Sequence, residues 1–184
     1  MNQNRDYEKI RRDLVAFLPS VGERVMELRR GAEKDPDFVK LKADESIVTQ
    51  ADTVSEDLIR DWINERFPND SICGEEREAK RGGLHTWIID PIDGTYNFNR
   101  HGRMFGISVG LAEGNVPKMG ILFYPAENVT VTAVENVGAT MNGQALMVLP
   151  EKQELDGATV WRVDPSFHSE YFSRPQFSRG IGQQ

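Results

Sequence analysis

Two carboxylates, Asp90 and Asp93, stand close together in the stretch Trp87-Ile88-Ile89-Asp90-Pro91-Ile92-Asp93-Gly94-Thr95-Tyr96-Asn97-Phe98. Trp87 to Ile89 read as a buried strand, Pro91 to Gly94 as the turn that ends it, and Thr95 as a helix start. The two carboxylates then flank one tight turn at the end of a strand. Like charges held that close repel each other unless a cation sits between them. Just beyond them, Gly94 and Thr95 offer free backbone N–H groups at a helix N-terminus, where anions are favoured. A hard cation and a phosphate would meet at one place, as metal-assisted phosphoryl chemistry requires. The alternative is an acidic turn without a metal, because Asp favours turns for its own hydrogen bonding.

Two upstream segments carry further acidic groups. Glu75 and Glu76 follow a short apolar run and Gly74. They are either a solvated acidic pair or part of the same site. Thr49 and Asp52 precede an apolar-periodic segment, and helix capping alone accounts for them. Capping and catalysis are compatible there. Lys42 is a loop lysine that either faces the acidic residues or lies on the surface. Gly106-Ile107-Ser108-Val109-Gly110 matches G-x-S-x-G, the serine-hydrolase elbow, which needs a sharp strand-to-helix turn after the serine. Here Phe105, Ile107, Val109 and Leu111 alternate straight through it as a strand, and His168 is the only histidine downstream. The match is therefore read as a coincidence. His85 and His101 read as structural or surface residues, since hard cations prefer oxygen.

Three of these segments, in this order, resemble one family. WIIDPIDGTYNF is similar to the signature of the inositol monophosphatase family of magnesium-dependent, lithium-sensitive phosphatases. Val48-Thr49-Gln50-Ala51-Asp52 and Gly74-Glu75-Glu76 resemble its two upstream motifs, and the resemblance runs from roughly Lys42 to Gly143. It implies one Mg²⁺ held by Glu75, Asp90 and the Ile92 carbonyl, and a second sharing Asp90 and adding Asp93. It implies that Asp52, paired with Thr95, orients and deprotonates the attacking water, so that the catalytic residues are Asp52, Thr95 and Glu75. Gly94 and Thr95 amides would hold the phosphate. A metal-activated water would attack phosphorus in line, without a covalent intermediate. Glu76 would play an outer role, and family members carry a lysine near the position of Lys42. Asn136-Val137-Gly138-Ala139-Thr140-Met141-Asn142-Gly143 resembles a G-x-G-A-x-x-N-G turn of the family, with Asn136 in place of the first glycine. Asn tolerates left-handed backbone better than most residues.

The elements that must position these groups follow from periodicity. Residues 6–30 place Ile10, Leu14, Leu18, Val21, Val25 and Leu28 on one helical face, and Pro19 predicts a kink or break near Leu18. Residues 32–46 read as loop, and Ile47–Thr49 as a short strand. Thr53–Phe67 reads as a second helix with Thr53 and Glu56 as a capping box and Val54, Leu58, Ile59, Trp62 and Ile63 as its apolar face. Strands are expected at Ser71–Cys73, His85–Asp90, Phe105–Glu113, Pro117–Tyr124, Asn128–Val134, Ala139–Met141 and Ala158–Val163, with a hairpin turn at Glu113-Gly114-Asn115. The predicted fold is α+β, with layered helices and an antiparallel sheet. The resemblance makes it of the sugar-phosphatase type, with the second lobe truncated. Residues 1–150 are expected to form the metal- and phosphate-binding α+β domain and residues 151–184 the start of a truncated C-terminal lobe.

The 184 residues carry a net charge of −7, which argues against a nucleic-acid partner. No apolar run reaches membrane-spanning length, and the N-terminus lacks the apolar core of a signal peptide. Cys73 is the only cysteine, so the expectation is a cytoplasmic protein with one buried thiol. In the family, a second lobe supplies a Trp-Asp motif that completes the second metal site, and Trp161 and Asp164 do not form it. One ordinary metal site, one weak site and low activity needing high Mg²⁺ are therefore expected. Exposed apolar sheet surface should favour self-association, for instance as a homodimer. The expected activity is metal-dependent hydrolysis of a small phosphomonoester, with an inositol monophosphate as the default. Histidinol phosphate, fructose 1,6-bisphosphate and nucleotide 3′-phosphates are substrates of relatives. The alternative is a non-catalytic or weakly active fragment that serves as a metal- or partner-binding module.

Overall fold

The structure, a computed structural model, describes residues 5–32, 38–42 and 47–147. The strand expected at Ala158–Val163 and the lobe expected from residue 151 lie outside those residues. The chain opens with helix α1, Tyr7–Gly31, capped by the Asp6 carboxylate, which accepts the Lys9 N–H at 2.9 Å. The helix does not break near Leu18 but continues through Pro19. Pro19 lies on the exposed face of the helix, where its ring meets no core side chain. Arg29 and Arg30 in the last turn suit the negative end of the helix dipole.

Strands β1, Val39–Leu41, and β2, Ile47–Thr49, pair antiparallel, so part of the segment expected as loop is strand. Helix α2, Gln50–Arg66, begins earlier than the sequence reading placed it. The capping box is Thr49 with Asp52, not Thr53 with Glu56. The buried stripe accordingly runs Ala51, Asp52, Ser55, Glu56, Ile59, Trp62 and Ile63, while Val54 and Leu58 are only half-buried. Two polar residues, Ser55 and Glu56, therefore lie on the inner face.

The remaining strands are β3 (Ser71–Gly74), β4 (His85–Asp93), β5 (Gly106–Glu113), β6 (Val116–Tyr124), β7 (Val129–Val134), β8 (Gly138–Met141) and β9 (Gln144–Ala145), with helix α3 at Thr95–Asn99. They form one sheet in the order β3-β4-β5-β6-β7-β8-β9. The sheet is a meander, as expected, except that β3 pairs parallel with β4. The connection through residues 75–84 returns the chain to the same end, and Lys80 bridges back to Ile72. The β5–β6 turn is a two-residue hairpin with Gly114 at φ 56. Asn136 does take a left-handed backbone, at φ 60.

Side chains alternate across the strands, so one face carries the core. Trp87 lies opposite Leu111, Ile89 opposite Val109, and Ile107 opposite Phe123, all buried. Leu14, Leu18, Val21 and Val25 of α1 and Ile59 and Ile63 of α2 join them in one core. Each such side chain contributes roughly 1.5–3 kcal/mol when fully buried. A Cβ on Gly22 would lie 2.6 Å from the Phe123 ring, so only glycine lets α1 lie this close to β6. The buried Trp87 indole donates to Asp70 at 2.8 Å, and Arg5 pairs with the same carboxylate. Cys73, expected as a buried thiol, is only half-buried. Among the described residues, no helix is long and apolar enough to cross a membrane.

Candidate active site

The site gathers where α2 begins and β4 ends. At the start of α2, Asp52 is 1% exposed. Its Oδ2 accepts the Thr49 N–H at 2.8 Å and the Thr49 hydroxyl as well. Its Oδ1 accepts the Thr95 hydroxyl at 3.1 Å. Burial raises the Asp52 pKa, and the bonds from Thr49 and Thr95 offset part of that rise. A carboxylate so placed is a stronger base than one in water.

Thr95 opens α3, a helix of five residues. Its hydroxyl also lies 3.0 Å from the Ile92 carbonyl oxygen. The one hydroxyl proton is thus directed at Asp52 or Ile92, which leaves the Thr95 oxygen free to accept a proton from another donor. Gly94 precedes it at φ 89, and a Cβ there would meet the Met104 carbonyl oxygen at 3.0 Å, so the turn into α3 requires glycine.

The end of β4 is not the simple turn expected at Pro91–Gly94. The strand continues to Asp93, and its register against β5 slips between Asp90 and Asp93. Asp90 lies opposite Ser108, and Asp93 opposite Gly106. The irregularity is a bulge, with one extra residue on β4. Pro91, which has no N–H to give to a ladder, and Ile92 sit inside it, both buried. Ser55 of α2 donates to the Pro91 carbonyl at 3.1 Å and fixes the bulge from below.

Asp90 is the electrostatic centre. Its Oδ1 is buried and has no hydrogen-bond partner. Its pKa is pushed up to about 8 by burial first, then by the charges of Glu75 and Asp93. Glu75, beyond the end of β3, is within hydrogen-bonding reach of it. Among the described residues, no three acidic, thiol or imidazole side chains already close around one point. The Lys42 ammonium holds Glu75 Oε1 at 3.0 Å and Glu76 Oε1 at 2.7 Å. Burial pulls the Lys42 pKa down, but its two glutamate partners raise it further, so it stays charged. Burial raises the Glu76 carboxyl and outweighs the pull of Lys42.

The chemistry of the donors suits a hard divalent cation. All are oxygens, one of them buried without a partner, and the carboxylates repel one another. Hydrogen bonds join Asp52, Thr95 and Ile92, and Glu75 and Asp93 lie near enough to Asp90 for their charges to raise its pKa. Lys42 faces the acidic groups. Ser108 lies in an uninterrupted strand, and no elbow forms. The sequence reading missed Ser55 and assigned Glu56 to a cap. The signal was present: both are polar residues four apart from Ala51 and Asp52, on the stripe that the period of α2 turns inward.

Residues 10–177 match the inositol monophosphatase family. The inositol monophosphatase of Mesembryanthemum crystallinum is 33% identical over 148 residues, which are 78% of this chain and 54% of that protein. A histidinol-phosphatase of Chlorobaculum parvum is 38% identical over 108 residues, 58% of this chain and 42% of that protein. The chain thus spans about half the length of the curated relatives it matches. A solved IMPase/NADP phosphatase, complexed with Mg²⁺ and phosphate, shares the fold at a TM-score of 0.68 and 19% identity, covering 80% of this chain and 56% of that one.

Proposed function

The chain belongs to the inositol monophosphatase family, and we propose that it provides the metal- and water-activating half of a phosphomonoesterase site. The reaction is hydrolysis of a small phosphomonoester to an alcohol and inorganic phosphate. The observation that carries this reading is the buried, partnerless Asp90 Oδ1 beside Glu75 and Asp93, one turn of chain away from the Thr95–Asp52 hydrogen bond.

Glu75, Asp90, Asp93 and the Ile92 carbonyl would hold Mg²⁺. When bound, the cation would polarise the phosphoryl oxygens and make a water more acidic. The chain's own residues do the rest. Thr95 Oγ accepts the proton of the attacking water as its own proton passes to Asp52 Oδ1. The buried carboxylate is suited to take it because its pKa is raised. The Thr49 N–H and hydroxyl hold Asp52 in place throughout. The Gly94 and Thr95 amides lie at the opening of α3 and would bind a phosphoryl oxygen. Lys42 neutralises Glu75 and Glu76 when no cation is present and would shift from Glu75 as one enters.

An inositol monophosphate is the default substrate, and the histidinol-phosphatase relative makes histidinol phosphate the first competitor to try. The test is phosphate release from both compounds with and without Mg²⁺, in wild type and Asp90→Asn. Metal-dependent release that the substitution abolishes is expected. Release that ignores both Mg²⁺ and Asp90 would overturn the reading.

A further inference from the structure

Glu56 is a fully buried carboxylate that the mechanism above does not use. It lies one helical turn after Asp52 on the inner stripe of α2. Its Oε2 accepts the backbone N–H of Glu76 at 2.7 Å. Its Oε1 accepts from Arg60 at 2.8 Å, and the other end of that guanidinium donates to the Glu78 carbonyl at 2.8 Å. Opposite the carboxylate sits Gly74, the last residue of β3. A Cβ there would lie 2.0 Å from Glu56 Oε1. Glycine at this position is therefore the space that the carboxylate fills.

We infer that Glu56 is a positioning residue that fixes the segment after β3 so that Glu75 faces Asp90. The inference rests on the reading of Glu75 as a metal ligand. The backbone N–H of Glu76 is held at short range by a buried carboxylate, and the pairing with Arg60 directs that carboxylate. Residues 74 and 76 are thereby fixed on either side of Glu75. Since Asp52 stands on the same helix, α2 sets both the base of the proton relay and the backbone from which a metal ligand projects. The exposed Arg77–Asp57 pair joins the same two segments. Being solvated, it contributes little.

The experiment compares wild type with Glu56→Gln, Gly74→Ala and the double variant Glu56→Gln/Arg60→Gln. Three readouts are taken: amide hydrogen exchange at Glu76, calorimetric titration with Mn²⁺, and phosphate release against Mg²⁺ concentration. A carboxamide cannot accept from Arg60 and Glu76 together. In Glu56→Gln the Glu76 amide should exchange about tenfold faster or more while Ile59–Ile63 amides keep their protection. Partners that orient a metal ligand cost roughly 10–100-fold in affinity when lost. Mn²⁺ should therefore bind at least about tenfold more weakly, with kcat recovering at saturating Mg²⁺. Gly74→Ala, which pushes the carboxylate aside without removing it, should do the same and carries the test if Glu56→Gln does not fold. In the double variant the two amides can pair and leave one oxygen for the Glu76 N–H, so both binding and protection should return toward wild type. Unchanged Glu76 exchange in a folded variant, or Mn²⁺ affinity within about twofold of wild type, would overturn the inference. If wild type itself takes no Mn²⁺, the proposed function fails, and exchange at Glu76 alone decides whether Glu56 is the clamp.

Discussion

Asp90 and Asp93 face the same side of the sheet although three steps of strand separate them. In a regular strand that spacing puts side chains on opposite faces. The bulge at Pro91–Ile92 absorbs one residue, so Asp90 and Asp93 align with Ser108 and Gly106, which are two apart on β5. Two carboxylates are thus held on one face with Glu75 nearby, and burial, followed by the charges of Glu75 and Asp93, drives Asp90 up to about 8.

That rise predicts how stability depends on pH without metal. The folded chain binds the Asp90 proton more tightly than the unfolded chain, so the native state loses stability as pH rises from about 4 to about 8. Asp90→Asn removes the term. The metal-free variant should melt higher than wild type at pH 8, by at least about 1 kcal/mol or about 2–4 °C. Mg²⁺ should raise the melting temperature of wild type and leave that of the variant unchanged. Thermal melts at pH 5 and 8, with and without Mg²⁺, check this, and a wild type insensitive to both would contradict it.

Thr95→Ala should keep the fold and lose rate. The side chain touches Asp52 and the Ile92 carbonyl, and its removal empties little of the core. Proton-transfer partners are worth roughly 10²–10⁴-fold, so a loss of about a hundredfold or more in kcat is expected. Melting curves and initial rates on the same preparation give the answer. An unchanged rate would remove Thr95 from the relay.

Lys42→Met should tighten metal binding. The ammonium competes for Glu75 and balances Glu76, and its loss leaves both carboxylates to the cation. Calorimetry with Mn²⁺ should show an affinity several-fold higher than wild type at low salt, an effect that shrinks as ionic strength rises. Weaker binding would mean that Lys42 supports the ligands rather than competing with the ion.

Ser108→Ala should leave phosphate release within about twofold of wild type, well below the loss expected on removing a nucleophile. Ser108 lies mid-strand with no strained turn after it, despite its G-x-S-x-G setting. Complete loss of activity in a folded variant would restore the hydrolase reading.

The sequence by itself determined the local chemistry. Trp87–Ile89 as a strand, Gly94 as a turn, the Thr49–Asp52 segment and the Glu75–Glu76 pair are written in residue type and short spacing, where propensity and motif act within a few positions. Fold class was legible for the same reason: helical periodicity first, then alternation, reads as two helices against a meander. Pairings between distant segments were not legible. The parallel partner of β4, the bulge that turns Asp90 and Asp93 to one face, and the inward rotation of Ser55 and Glu56 depend on which surfaces meet. Register follows from packing of whole faces, and a shift of one residue in a strand reverses what points inward. The sequence named the carboxylates; the tertiary structure decided which of them share a face, and which one, Glu56, lies buried behind the others as a support.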